Sequence, residues 1–95
     1  MLDEFMRLVR KDMEGRGFCE IGASLPPGVD AVALVFAPAP VAWRDVFIAI
    51  PVVATGLDLL QNNTSASMAS LVRKRCANAA RAYMDRDLIY RQAAA

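Results

Sequence analysis

The stretch VDAVALVFAPAPVAWRDVFIAIPVV, running from Val29 to Val53, decides the fold of this 95-residue chain. It holds nine of the thirteen Val and Ile residues, and its only charges are Asp30, Arg44 and Asp45. Side chains branched at Cβ lose little by adopting extended backbone and pack well on a pleated surface, so a β-rich centre is expected here. Within the stretch, Ala31 to Ala37 is an unbroken apolar run between Asp30 and Pro38, the length and composition of a strand buried on both faces. Pro38-Ala39-Pro40 ends that strand.

The second half of the stretch carries two periodicities at once. Trp43, Val46, Phe47 and Ile50 fit a helical spacing, and Val46, Ile48, Ile50 and Val52 fit a strand equally well. Five of the eight residues from Val46 to Val53 are Val or Ile, and Pro51 would break a helix at mid-length. Residues 44–53 are therefore read as a strand with Pro51 near its exposed end. A helix beginning at Val41 behind Pro40 is the competing reading.

Outside this centre the patterning is helical at both ends. Leu2, Phe5, Met6, Val9 and Met13 recur at spacings of three and four, with Asp3, Glu4, Arg7, Lys11 and Glu14 opposite, which predicts an amphipathic helix over 2–14. Gly15 and Gly17 then stop it, since glycine accepts the left-handed conformation that closes a helix. Phe18 to Ala23 alternates loosely and reads as a short edge strand. Leu25-Pro26-Pro27-Gly28 reads as a turn. Thr55-Gly56 punctuates, Leu57 to Gln61 reads as one helical turn, and Thr64 or Ser65 is a natural N-cap for the next helix. From Ala66 to about Arg91 there is no Gly or Pro. Met68, Val72, Cys76, Ala79, Ala80 and Tyr83 share one face there, predicting a long helix.

The expected fold is a single α+β domain over residues 1–95. Its small antiparallel three-stranded sheet is flanked by an N-terminal helix and a long C-terminal helix; an all-α chain is the alternative. A chain this short buries only roughly 60–70% of its unfolded surface. A three-stranded sheet also leaves one face and its edges open, and these strands bear almost no charge to guard them. A second copy or a larger partner is expected to cover that surface.

Composition argues against several chemistries. Without a single histidine, the chain lacks the commonest general base, the usual activator of Ser and Cys nucleophiles, and the commonest zinc ligand. Cys19 and Cys76 are isolated and form no metal-binding pair; they are expected to be buried free thiols. Asp85 and Asp87 are two residues apart on a helix and point in different directions, so they cannot share a metal or a water. Gly15-Arg16-Gly17 lacks the further glycine and the preceding strand of a phosphate loop. No catalytic, cofactor-binding or metal-binding residue is assigned, and an enzyme is not expected. Early acidic residues interrupt any apolar run at the N-terminus, and the longest uncharged runs, Ala31–Trp43 and Val46–Leu57, are too short to span a bilayer. A cytoplasmic location without membrane contact is expected.

What remains is recognition. Trp43, Phe47 and Tyr90 are the aromatics suited to anchoring a protein contact, although core packing is the favoured role for Trp43 and Phe47. Charge divides unevenly: residues 1–63 carry five basic and eight acidic side chains, and residues 64–95 carry six and two. Arg73, Lys74, Arg75 and Arg81 on the long helix are the candidate contacts to nucleic acid or to an acidic partner. At about 100° per residue, however, the basic side chains of that helix scatter instead of forming one stripe. The leading expectation is a non-catalytic protein–protein interaction module acting as a homo-oligomer, an inhibitor or adaptor, or an assembly subunit. Small proteins of phages and mobile elements often have this build. A small nucleic-acid-binding regulator using the basic C-terminal helix is the alternative.

Overall fold

A computed structural model describes residues 1–24, 28 and 30–94 of the chain. Helix α1 (Leu2–Gly15) leads into strand β1 (Phe18–Ser24), and β2 (Ala31–Pro38) follows. A short helix α2 (Asp45–Ile48) precedes β3 (Ile50–Thr55), after which come α3 (Gly56–Gln61) and the long α4 (Ser65–Ala94). The strands form one antiparallel sheet in the order β1-β2-β3, an α+β fold with helices at both chain ends. The turn expected at Leu25–Gly28 lies outside the described residues, apart from Gly28 itself at φ +73°.

Alternation along the strands sorts the sheet into two faces. Val32, Leu34 and Phe36 of β2 join Ile50, Val52 and Ala54 of β3 in the core, against Phe5, Val9 and Met13 of α1 and Met68, Val72, Cys76, Ala79 and Tyr83 of α4. Each fully buried large side chain contributes roughly 1.5–3 kcal/mol, so these two helical stripes and this one sheet face hold the fold together. The small side chains of Cys76 and Ala79 let α4 lie close to the sheet.

The expectation that β2 is buried on both faces is corrected. Val32, Leu34 and Phe36 are buried, but Ala31, Ala33 and Val35 between them are only half-buried, because both long helices lie on the same side of the sheet; at the far end of the run Ala37 is fully buried, so there the expectation holds. β2 pairs with β3 from Ala31↔Thr55 to Phe36↔Ile50. On the other side it pairs with β1 from Phe18↔Pro38 to Ser24↔Ala33, with a bulge between Glu20 and Gly22.

Residues 44–53 also differ from the single strand expected. The first part of the segment is helical and the second part is strand, with Ala49 between them. The ladder with β2 reaches only to Ile50, so Val46 to Ile48 have no strand to pair with, and a polar contact described below closes the chain into a turn. Pro51 sits in an edge strand, where its missing N–H costs no ladder bond.

The remaining boundaries follow local chemistry. α1 closes through Gly17, whose φ of +89° is the left-handed conformation that favours glycine. Thr55 caps α3: its Oγ1 accepts from the Asp58 N–H at 3.1 Å, and the Thr55 N–H donates to Asp58 Oδ2 at 2.9 Å. Thr64 caps α4 in the same reciprocal manner with Ser67, both bonds at 3.1 Å. Among the described residues, no helix is long and apolar enough to cross a membrane.

Candidate protein-interaction surface

The segment between β2 and β3 carries the molecule's most unusual surface, and a buried carboxylate builds it. Asp45 opens α2 and is only 6% exposed. Its Oδ2 accepts the backbone N–H of Ala42 at 2.9 Å, while its own N–H donates to the Ala42 carbonyl at 3.0 Å. Its Oδ1 accepts the Tyr83 hydroxyl of α4 at 2.6 Å. Hydrogen bonds from Tyr83 and from the Ala42 backbone hold the Asp45 carboxyl below its ordinary range; they outweigh the opposing effect of burial and are aided by Arg44 and Arg91. Burial, then the bond to Asp45 and the Asp45 and Asp87 charges, push the Tyr83 hydroxyl up. A second tie lies one turn along α4, where Arg44 Nη1 donates to Asp87 Oδ1 at 3.4 Å and Asp87 Oδ2 accepts from Arg91 Nε at 2.9 Å.

These ties fix which side of α2 faces inward. Asp45 and Ile48, three residues apart, are buried, so Trp43 and Phe47 leave the segment on the opposite side. Trp43 is 76% exposed and Phe47 74%. Their rings meet edge to face with centroids 6.0 Å apart and planes at 80°, a favourable arrangement for aromatic quadrupoles. Val41 and Val46 beside them are exposed as well. The favoured core role for Trp43 and Phe47 is therefore corrected, because the buried positions of this segment went to Asp45 and Ile48. Tyr90 is not part of the ring pair; it lies two turns beyond Tyr83 on the same face of α4, half-buried against the core.

The outer face of the sheet is a second apolar surface. Cys19, Ile21, Ala33, Val35, Pro51 and Val53 lie there without a charge among them. The sheet edges are treated unequally. On β3, Arg75 Nη1 donates to the Val53 carbonyl at 3.3 Å, and Arg86 Nη1 donates to the Ala49 carbonyl just before the strand at 3.1 Å, guarding that edge. On β1 the only charge is Glu20, held by Arg10 at 2.9 and 3.2 Å.

The basic residues singled out on α4 do not act as a unit. Arg75 is occupied by Val53 and by Asp58, whose Oδ1 it reaches at 3.2 Å. Arg73 lines a cleft between α1 and α4 with Lys11, Asp12 and Arg16, and Lys74 and Arg81 stand in solvent. Among the described residues, no three His, Cys, Asp or Glu side chains are grouped closely enough to hold a metal ion. Cys19 and Cys76 are both free thiols: Cys76 is fully buried in the core, whereas Cys19 is only half-buried on the outer sheet face, short of the burial expected for it.

Comparison with known families gives no assignment. No family model matches the chain, and no match was found among curated proteins or solved structures.

Sequence reasoning named Trp43 and Phe47 but missed Asp45 and Tyr83, which position them. The two lie 38 residues apart, so no local pattern links them. A readable signal was present: a carboxylate placed beside bulky apolar residues in an otherwise nearly uncharged stretch requires a buried partner.

Proposed function

We propose that this chain is a non-catalytic protein–protein interaction module, working as a homo-oligomer, an inhibitor or adaptor, or an assembly subunit, and that Trp43 and Phe47 are its primary docking residues. The observation carrying this reading is the exposure of two adjacent large aromatic side chains on a segment held by a buried hydrogen bond. Leaving such rings in water forgoes burial energy that the same residues would contribute in a core. Aromatic anchors of this kind dominate the energetics of protein interfaces, and fixing them beforehand lowers the entropy lost on docking. The charge-free outer sheet face and the exposed Val41 and Val46 extend the apolar surface available to a partner.

Nucleic-acid binding is the weaker reading, since Arg75, Arg86 and Arg91 are engaged within the fold and, of the others on α4, only Lys74 and Arg81, two turns apart, share one side. The two readings separate in one affinity-capture experiment from the source cells. Capture of a defined protein that persists at raised salt, is lost in the Trp43→Ala/Phe47→Ala double variant, and survives Arg73→Ala/Lys74→Ala supports the module. Nuclease-sensitive capture that falls steeply with salt and is lost in the Arg73→Ala/Lys74→Ala variant would replace it with the nucleic-acid reading.

A further inference from the structure

The solvent side of α4 carries a second surface, distinct from the Trp43–Phe47 pair. Ala79 and Tyr83 face the core. Turned away from them, Met84 on the flank of the helix and Leu88 on its outer side are one turn apart and 66% and 57% exposed. Arg81 and Asp85 are interleaved with them, also one turn apart and exposed, so an apolar pair and an oppositely charged pair share one stripe.

Arg81 and Asp85 are not an ion pair in this chain. Among the described residues, the ion pairs of α4 join Arg75 to Asp58, Arg91 to Asp87, and Arg44 to Asp87. A base one turn before an acid is the less favourable order on a helix. Both groups are thus available to an outside partner, and the stripe is complementary to itself in one orientation only. Laid parallel, two such helices would put Arg81 beside Arg81 and Asp85 beside Asp85. Laid antiparallel, with the two-fold axis level with residue 83, each Arg81 meets Asp85 of the other chain, the two Met84 side chains come side by side on one flank next to the axis, Leu88 comes level with Asn78, and Lys74 comes opposite the uncharged Gln92. No like charges then face each other along the stripe.

We propose that the second half of α4 is a self-association surface, pairing antiparallel with α4 of a second copy through reciprocal Arg81–Asp85 contacts around Met84 and Leu88. The length fits: α1 ends level with Val72 and Arg73, leaving residues 77–94, roughly 27 Å of helix, beyond it. One helix face of this size falls short of the ~800 Å² per partner typical of stable complexes. The dimer is accordingly weak, and it leaves Trp43 and Phe47 for a different partner.

Charge reversal tests it, read by sedimentation velocity of the full chain between roughly 10 µM and 1 mM, the range implied by a small interface. The wild-type chain is expected to shift from monomer to dimer across this range. The Arg81→Asp chain and the Asp85→Arg chain are each expected to stay monomeric with unchanged circular dichroism, because both positions are exposed. An equimolar mixture of the two is expected to form a heterodimer, since every contact then joins opposite charges. A wild-type chain that stays monomeric throughout would overturn the proposal. So would dimerisation that persists in both single variants, or a mixture that fails to associate. Dimerisation that persists in both variants but is lost in Trp43→Ala/Phe47→Ala would place self-association on the aromatic pair instead, leaving the docking role of those residues intact.

Discussion

Replacing Tyr83 with Phe removes one oxygen from the core and isolates the bond on which the α2 segment depends. That hydroxyl donates to Asp45 Oδ1 at 2.6 Å in a buried setting. A hydrogen bond to a charged acceptor contributes roughly 1.5–3 kcal/mol. Asp45 would keep the Ala42 N–H at 2.9 Å and the nearby Arg44, whose Nε lies at 4.0 Å, so the carboxylate would not be stranded and the expected loss is about 2 kcal/mol. The ring itself remains, together with its edge-to-face contact to Phe18 at 5.5 Å, so no cavity term is added. For a chain of this size each kcal/mol is worth roughly 4–8 °C in Tm, giving a fall of about 8–16 °C. Urea unfolding followed by far-UV circular dichroism measures the stability. The fluorescence anisotropy of Trp43, the chain's only tryptophan, reports separately on α2 and is expected to drop as the segment loosens in the folded protein. A loss under about 0.5 kcal/mol, the range of an ordinary surface change, with unchanged anisotropy would refute the claim that Tyr83 and Asp45 hold this segment in place.

Three further outcomes follow from the same structure. Asp45 and Asp58 both have carboxyls held below their ordinary value of 3.8, so the stability they contribute is fully present above that value and lost as pH falls through the lowered folded values. Acid titration of the wild type should therefore show a steeper loss of stability below about pH 4 than Asp45→Asn does. Burial, reinforced by Asp12, pushes the Cys76 thiol up to about 12, while Cys19 is partly accessible. Brief alkylation of the native protein, read by mass spectrometry of peptides, should modify Cys19 and spare Cys76 until denaturant is added. Gly17→Ala should cost about 1–2 kcal/mol in thermal or urea unfolding because of the positive φ at that position, whereas Gly22→Ala, with open space around the added methyl, should be tolerated.

The elements most legible in the sequence were those whose stability is local. Three- and four-residue spacing marked α1 and α4, and the Val-rich run with its closing prolines marked β2. Alternation of Ala31 and Ala33 with the larger Val32, Leu34 and Phe36 already signalled one covered face, but the absence of polar residues masked it. Residues 45–48 were not legible, because strand and helix periods coincide over Val46 to Ile50 and the choice is made by Tyr83, far along the chain. Trp43 and Phe47 were read as core because burial is the default for such rings; only the tertiary position of α2 turns them outward. The punctuation at Thr55-Gly56 placed the turn at Leu57 to Gln61 within a residue of the observed start of α3 at Gly56, whereas the Thr55–Asp58 capping box that fixes that start went unread.

The central claim is that the Trp43–Phe47 surface is where another protein docks, and photo-crosslinking in the source cells tests it most directly. A photoreactive amino acid at Val46, exposed and next to Phe47 in the chain, is expected to yield a discrete protein adduct that disappears with Phe47→Ala. The same probe at Arg7, exposed on α1, is expected to give none. No adduct from Val46, or the same adducts from both positions, would contradict the account.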